Sequence, residues 1–214
     1  MSPRRLLPPP PPPPPPHLRT WPDRAALLAD RNRAMGELTW RIMGGRRLVL
    51  FLLTLAGLQA GWLAVGGALM SLEDGLVDPL MAMAGALGVC LGLAVVIPAV
   101  FAVAFAVRRD RVARELLAQW ASLDSDPPRD AAFRVPVLGL IWFLLSFALC
   151  ASGLWLCFAV PASARPGSTT YAEVAALMGV GLILWVHGLI AVTKAVGHYR
   201  WAVRLGARRP QAVR

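Results

Sequence analysis

The sequence predicts an all-α fold: a polytopic membrane protein built as a bundle of four transmembrane helices with cytoplasmic N- and C-termini. Three observations lead to this class. Four long stretches contain no charged residue, arginine is distributed very unevenly along the chain, and the composition is 57% hydrophobic and 16% charged. A soluble domain carries about 25% charged residues. The composition therefore excludes an ordinary soluble domain and leaves little of the chain outside the helices.

The four charge-free stretches are the predicted membrane spans. They cover 48–71, 79–107, 135–164 and 174–193. A transmembrane helix needs about 20 mostly apolar residues to cross about 30 Å of hydrocarbon, and in lipid it satisfies its own backbone hydrogen bonds. All four stretches reach that length. The spans predicted from them are about 48–71, 79–107, 135–161 and 173–196.

Arginine marks one side of this predicted bundle. Nine arginines precede the first span, six lie between the second and third spans, and six cations follow from Lys194 onward, whereas the opposite side holds only Arg165. Cytoplasmic loops carry the excess of Lys and Arg. We therefore predict a multi-pass protein of the plasma membrane, with both termini cytoplasmic and the basic face against anionic headgroups. This explanation of the charge is preferred to nucleic-acid binding, and no nucleic acid is expected as a partner.

Two segments precede the first span. Residues 1–22 form a predicted disordered tail rich in Arg and Pro, with nine consecutive prolines at 8–16. Such a run adopts polyproline II. Three interpretations stay open: a ligand for an aromatic groove on a partner, a spacer, or translated sequence upstream of the true start. Residues 23–47 form a predicted cytoplasmic juxtamembrane helix that lies on the inner leaflet, although its apolar face is poorly formed.

The second span is expected to continue beyond the membrane as an amphipathic cytoplasmic helix over 108–121. Val112, Leu116 and Trp120 recur every four residues, which is typical of one helical face. A helix resting on the membrane and a helix that docks a partner look the same in this pattern. The remaining predicted boundaries are 48–198 for the transmembrane domain and 199–214 for a basic cytoplasmic tail.

Small residues indicate where the spans pack together. Two GxxxG patterns occur, one in the first span and one in the second. Glycine lets helix backbones approach closely, which favours association in lipid. The pattern does not distinguish packing within one chain from packing between chains. The predicted helix-packing residues are Gly57, Gly61, Gly85, Gly88 and Gly92.

A candidate intramembrane polar site consists of Gln59, Ser146 and His187, which lie at depth in three predicted spans. An ionisable residue inside a span is by default a functional hypothesis. His187 either responds to protons or contacts a ligand, or it is a neutral histidine that bonds a neighbouring helix. Gln59 and Ser146 lie at similar predicted depth and are its candidate partners.

No pattern in the sequence predicts catalysis, a metal site or a bound cofactor. Walker A, GxSxG, HExxH and nucleotide-binding glycine patterns are absent, and the three cysteines lack metal-ligand spacing. The sequence therefore favours a non-enzymatic membrane subunit or scaffold that acts through partner proteins in a homo- or hetero-oligomer. The alternative is a small oligomeric transporter or channel subunit, in which Gln59 and His187 line a polar path.

Overall fold

The structure is a computed structural model, and it describes residues 10–74, 79–130, 133, 136–165 and 169–206. Within these ranges every regular element is helical. A 3₁₀ turn at Pro16–Leu18 precedes the α-helices, which are α1 (Arg24–Met43), α2 (Gly45–Asp74), α3 (Pro79–Ala121), α4 (Pro127–Asp130), α5 (Pro136–Ser163) and α6 (Tyr171–Gly206). The predicted all-α class is confirmed for the described residues.

Four helices among the described residues are long and apolar enough to cross a membrane: α2, which is counted together with α1, and α3, α5 and α6. By length and composition they are compatible with an integral, multi-pass membrane protein. Helix α3 has 43 residues and α6 has 36, so they extend for about 65 Å and about 54 Å. Both exceed the hydrocarbon thickness of about 30 Å, so each is longer than a single crossing requires.

Large apolar side chains on α3 are left uncovered by the rest of the chain. Leu87, Leu91, Phe101 and Phe105 are each more than 60% exposed. A soluble monomer rarely exposes a contiguous apolar surface of this kind. This face of α3 therefore needs hydrocarbon or another protein against it.

The chain folds as two compact units. The first, here called the terminal unit, comprises the described residues within Met1–Arg47, Ala106–Gly139 and Gly197–Arg214. The second, here called the apolar unit, comprises the described residues within Leu48–Phe105 and Leu140–Val196.

The domain boundaries expected from the sequence, at 23–47, 48–198 and 199–214, stay predictions. The end of α3 and the end of α6 belong to the same unit as α1. Helix α6 runs without a break through the boundary predicted at 198 and ends at Gly206. The first part of the predicted basic tail is thus helical, whereas 207–214 lie outside the described residues.

Helix α1 begins and ends at residues suited to helix termini. The carboxylate of Asp23 accepts a hydrogen bond from the backbone N–H of Ala26 at 2.7 Å, which is the interaction of an N-cap. At the other end Gly44 donates its backbone N–H to the Trp40 carbonyl at 2.9 Å. A Cβ atom at Gly44 would overlap that carbonyl oxygen. The residue between the end of α1 and the start of α2 must therefore lack a side chain, and glycine meets this requirement.

The buried face of α1 forms part of the core of the terminal unit. The positions recur with helical spacing, and they are Arg31, Ala34, Met35, Leu38, Thr39, Ile42 and Met43. This face is covered by protein, and the location of α1 on the inner leaflet stays a prediction. The apolar pattern is weak in the sequence because a charged residue, Arg31, and a polar one, Thr39, belong to the buried face.

The predicted amphipathic helix 108–121 is the end of α3 and belongs to the terminal unit. Leu117 and Trp120 are buried, but Val112 is 54% exposed, so the buried face is rotated relative to the predicted stripe. Trp120 also donates its indole N–H to the Pro11 carbonyl at 3.2 Å. Part of the proline run therefore contacts an aromatic residue of its own chain, while residues 1–9 lie outside the described part.

Helix α6 is anchored at its start within the apolar unit. The Thr170 hydroxyl accepts the backbone N–H of Glu173 at 3.2 Å, and Glu73 of α2 accepts the N–H of Ala172 at 3.1 Å. Two amides that have no partner inside the helix are thereby satisfied. The second bond also fixes the register of α6 against the end of α2.

Candidate functional site

The three predicted polar residues lie at two different levels of the apolar unit. Gln59 of α2 donates from Nε2 to the Val180 carbonyl of α6 at 3.1 Å. Val180 precedes His187 by seven residues, which is about 10 Å along a helix. The structure therefore does not bring Gln59 and His187 together.

Ser146 and His187, by contrast, lie at the same level of α5 and α6. Both are buried, with exposures of 0% and 3%. The backbone oxygen of Ser146 would lie 3.1 Å from a Cβ atom added to Gly188, the residue after His187. The Ser146 hydroxyl, however, donates its hydrogen bond to the Phe143 carbonyl of its own helix at 2.7 Å and not to His187.

His187 keeps one ring nitrogen free. Its Nδ1 atom lies 3.0 Å from the Ile183 carbonyl, and because a carbonyl only accepts, this geometry assigns the proton to Nδ1. The Nε2 atom is buried and has no hydrogen-bond partner among the described residues. Nε2 is therefore available to accept a proton or a hydrogen bond inside the apolar unit.

Aromatic rings connect His187 to a buried lysine. The Phe51 ring lies 5.5 Å from the His187 ring and 5.3 Å from the Trp142 ring, between centroids. The Nζ atom of Lys194 lies 4.5 Å from the Trp142 centroid, a cation–π contact worth about 2 kcal/mol when desolvated. These residues together with Ser146 are here called the His187 cluster.

The sequence did not reveal Phe51, Trp142 and Lys194 as members of this cluster. They come from three helices, and a contact between helices leaves no spacing signal within any one of them. Lys194 is 7% exposed, although its position at the end of a charge-free run gives no sign that it is buried. The only available signal was that Lys194 follows His187 by two helical turns and so shares its face.

Four of the five predicted packing glycines lie where α2 and α3 approach closely. A Cβ atom added at any of them would meet a side chain of the other helix at 2.5–2.9 Å. These four are Gly61, Gly85, Gly88 and Gly92. At Gly57 an added Cβ would meet nothing within 4 Å. The α2–α3 contact is within one chain.

Helices α5 and α6 also approach closely, through glycines that the sequence analysis did not single out. A Cβ atom at Gly153 would lie 2.5 Å from the backbone nitrogen of Trp185, and one at Gly181 would lie 2.8 Å from the Gly153 oxygen. At Gly188 it would lie 2.5 Å from the sulfur of Cys150. The seven-residue spacing of Gly181 and Gly188 puts both on one face of α6, which is the signal that would have revealed them.

A buried ion pair joins α1 to α4 in the terminal unit. Arg31 donates from Nη1 and Nη2 to the two carboxylate oxygens of Asp130, at 2.7 and 3.2 Å, and both side chains are 0% exposed. Asp130 also accepts the backbone N–H of Asp126 at 3.2 Å. Bidentate geometry and an additional donor are what a buried pair needs to offset the desolvation of two charges.

A second pair links the start of α1 to the residues just before α4. Arg24 donates to both carboxylate oxygens of Asp124, at 2.7 and 3.2 Å, and to the Ser125 carbonyl at 3.3 Å. The hydrogen bonds from Arg24 hold the pKa of Asp124 below its ordinary value. The Arg24 side chain is 54% exposed, so solvent screens this pair and it contributes less than the buried one.

No protein-family model matches this chain, and no curated protein and no solved structure is similar to it. Its helices are compatible with the class of multi-pass helical membrane proteins. Within the described ranges, no group of three or more His, Cys, Asp or Glu side chains is placed to hold a metal ion. Its function is therefore inferred from its own residues alone.

Proposed function

We propose that this chain is a non-enzymatic subunit or scaffold of a plasma-membrane complex and that it binds partner proteins through its terminal unit. The observation that carries this proposal is the fully buried, bidentate pair of Arg31 and Asp130. A segment that served only to attract lipid would need no buried core. The terminal unit has one, so it presents fixed surfaces.

The exposed side of α1 supports a protein partner. Asp30 and Arg33 form an ion pair at 3.8 Å, and Glu37 and Arg41 form another, so charges of both signs follow one stripe of the helix. A surface that served only anionic lipid would be uniformly basic. Trp40 is 61% exposed on the same helix, and tryptophan is enriched at the energetic centres of protein interfaces.

The proposal places the terminal unit in the cytoplasm. The segments that form it hold almost all arginines of the chain, and loops rich in Lys and Arg stay on the cytoplasmic side. Both termini are then cytoplasmic, and the GxxxG faces of α2 and α3 hold the apolar unit together within each copy.

A small oligomeric transporter or channel subunit is the second candidate, and the His187 cluster favours it. A buried histidine with a free Nε2 atom and a buried lysine are ionisable groups inside candidate spans, where such groups often serve transport. One observation weighs against it. Gln59 bonds the Val180 carbonyl, which lies about 10 Å from His187 along α6.

Native mass spectrometry of the protein, extracted gently from its own membrane, separates the two candidates. The scaffold proposal expects different proteins bound at a fixed ratio. A defined homo-oligomer without companions would contradict it. That outcome would support the transporter, with Gln59 and His187 as the first residues to substitute.

A matched pair of variants identifies the unit that holds the companions. Asp130→Asn breaks the buried pair of the terminal unit, and we expect it to lose the companion proteins. Gly57→Ala alters an open position of the apolar unit, and we expect it to keep them. Companions that stay bound to Asp130→Asn, when limited proteolysis shows that its terminal unit has opened, would assign the binding to the spans instead.

A further inference from the structure

A cavity of about 400 Å³ opens between the ends of α3 and α6 in the terminal unit. Its volume is within the range of small-molecule sites. One wall is small and apolar, and the other carries two guanidinium groups and an indole. The residues that line it include Ala118 and Ala121 of α3 and Gly197, Arg200, Trp201 and Arg204 of α6.

Two exposed arginines, Arg200 and Arg204, line this cavity. In the part of the chain that the structure describes, neither Arg200 nor Arg204 forms an ion pair or a hydrogen bond. A third guanidinium lies near Gly197, which lines the cavity, because Arg114 Nη1 would be 3.3 Å from a Cβ atom at Gly197. The Nε atom of Arg114 is buried without a hydrogen-bond partner. A buried polar atom without a partner, such as Arg114 Nε, is costly, and the two exposed guanidinium groups of Arg200 and Arg204 give the cavity a positive charge that attracts anions.

Along α6, the residues that line the cavity follow shortly after the charge-free run. The charge-free run of α6 ends at Thr193, and at 1.5 Å per residue Gly197 lies about 6 Å and Arg204 about 16 Å beyond it. Helical side chains lean toward the N-terminus of their helix, so Arg200 and Arg204 lean back toward the apolar run. Trp201 is the residue type that prefers the headgroup layer.

We propose that this cavity binds one phosphate group, either on an anionic lipid or free in solution, and that Arg200 and Arg204 donate to its oxygens. Arginine binds phosphate through charge-assisted, bidentate hydrogen bonds. Basic pockets between helices at the cytoplasmic side of a membrane bind phosphate headgroups. The proposal differs from the diffuse attraction that any exposed arginine supplies, and it does not depend on partner proteins binding the terminal unit.

Lipid retention tests the proposal. The whole protein is placed in nanodiscs of phosphatidylcholine with a minor fraction of phosphatidylglycerol, and the lipids that stay bound are counted by native mass spectrometry. We expect wild type to retain phosphatidylglycerol selectively. Arg200→Gln combined with Arg204→Gln should reduce this retention by at least about tenfold, because each hydrogen bond to a charged group contributes enough for roughly that factor. The matched control, Arg108→Gln combined with Arg109→Gln, removes the same charge from exposed positions of α3 and should retain the lipid.

A second pair of variants leaves the arginines in place. Ala118 lines the cavity and is exposed, so a larger side chain there does not disturb the core. Ala118→Glu puts a negative charge into the cavity and should abolish selective retention. Ala118→Gln has nearly the same size without the charge and should reduce it much less.

Inorganic phosphate, added to protein in nanodiscs of phosphatidylcholine alone, distinguishes the two sources of the ligand. A rise in the thermal midpoint that depends on Arg200 and Arg204, without selective lipid retention, identifies a soluble phosphate compound. Selective retention that depends on the same arginines identifies the lipid. The proposal is overturned if neither effect depends on these arginines. It is also overturned if the Arg108 and Arg109 control loses as much lipid retention, or as much of the rise in thermal midpoint, as the cavity variant.

Discussion

At residue scale, Arg31 explains why the terminal unit has a fixed structure. It occupies a position of α1 that helical spacing assigns to the buried face, and its charge is matched by Asp130 about a hundred positions later in the chain. Replacing a whole buried pair by apolar residues is often harmless, but removing one partner leaves an uncompensated charge in the interior. Substituting either Arg31 or Asp130 alone is therefore expected to lower the free energy of unfolding of the terminal unit.

We predict that Asp130→Asn lowers the free energy of unfolding of the terminal unit by about 3–5 kcal/mol, because Arg31 loses its charge partner while it remains buried. Limited proteolysis across a denaturant series measures this change. Arg33→Ala is the control, since the Arg33 side chain is 80% exposed and pairs with Asp30 at 3.8 Å. Such surface pairs contribute about 0–1 kcal/mol. Equal losses in both variants would show that burial does not determine the effect.

The residues of the candidate sites differ in how far the sequence revealed them. His187 stands out because an ionisable residue within an apolar run is rare. The Arg31–Asp130 pair was hidden, since a charged residue on a helix usually faces water and nothing local identifies a partner so distant in the chain. The burial of Lys194 could not be predicted for a similar reason, because it involves contact with Trp142 of another helix.

At the scale of elements, glycine positions determine how closely the helices of the apolar unit approach. At Gly92 the backbone of α3 packs directly against α2. A Cβ atom added there would lie 2.5 Å from the Val65 side chain and 2.7 Å from the Gly61 backbone oxygen. Gly57 belongs to the same kind of motif, yet its surroundings are open. The motif alone therefore does not show which glycine is required.

We predict that Gly92→Ala destabilises the apolar unit by about 1–3 kcal/mol, because the helices must separate to make room for a methyl group. Gly57→Ala should be neutral or slightly stabilising, since alanine has the higher helix propensity by about 1 kcal/mol. Denaturation in mild detergent, followed by circular dichroism, compares the two variants. A loss at Gly57 as large as that at Gly92 would contradict the contact that the structure describes.

The sequence predicted most elements but not their partners. Each apolar helix begins within a few residues of a predicted span, because length and absence of charge are properties of the segment itself, whereas α3 and α6 end well beyond their predicted spans. The predicted start of the juxtamembrane helix at 23 is one residue before the observed start of α1 at Arg24. The grouping of the ends of α3 and α6 with α1 could not be predicted, since it depends on packing between segments far apart in the chain.

At the scale of the whole molecule, the account depends on which side of the membrane holds the terminal unit. If the four candidate helices all cross the membrane, both ends of the chain lie on one side, and under the proposal the arginine distribution makes that side the cytoplasm. The scaffold proposal needs the terminal unit there to meet cytoplasmic partners. The start of α6 at Tyr171 would then face the outside.

Thiol labelling tests this orientation most directly. In a background where Cys90, Cys150 and Cys157 are replaced by alanine, single cysteines are introduced at Arg33, whose side chain is 80% exposed, and at Tyr171, which is 94% exposed. Intact cells are then treated with a reagent that cannot cross the membrane. The account predicts that Tyr171→Cys is labelled at once and Arg33→Cys only after permeabilisation. Labelling of Arg33→Cys in intact cells would place the terminal unit outside and contradict it.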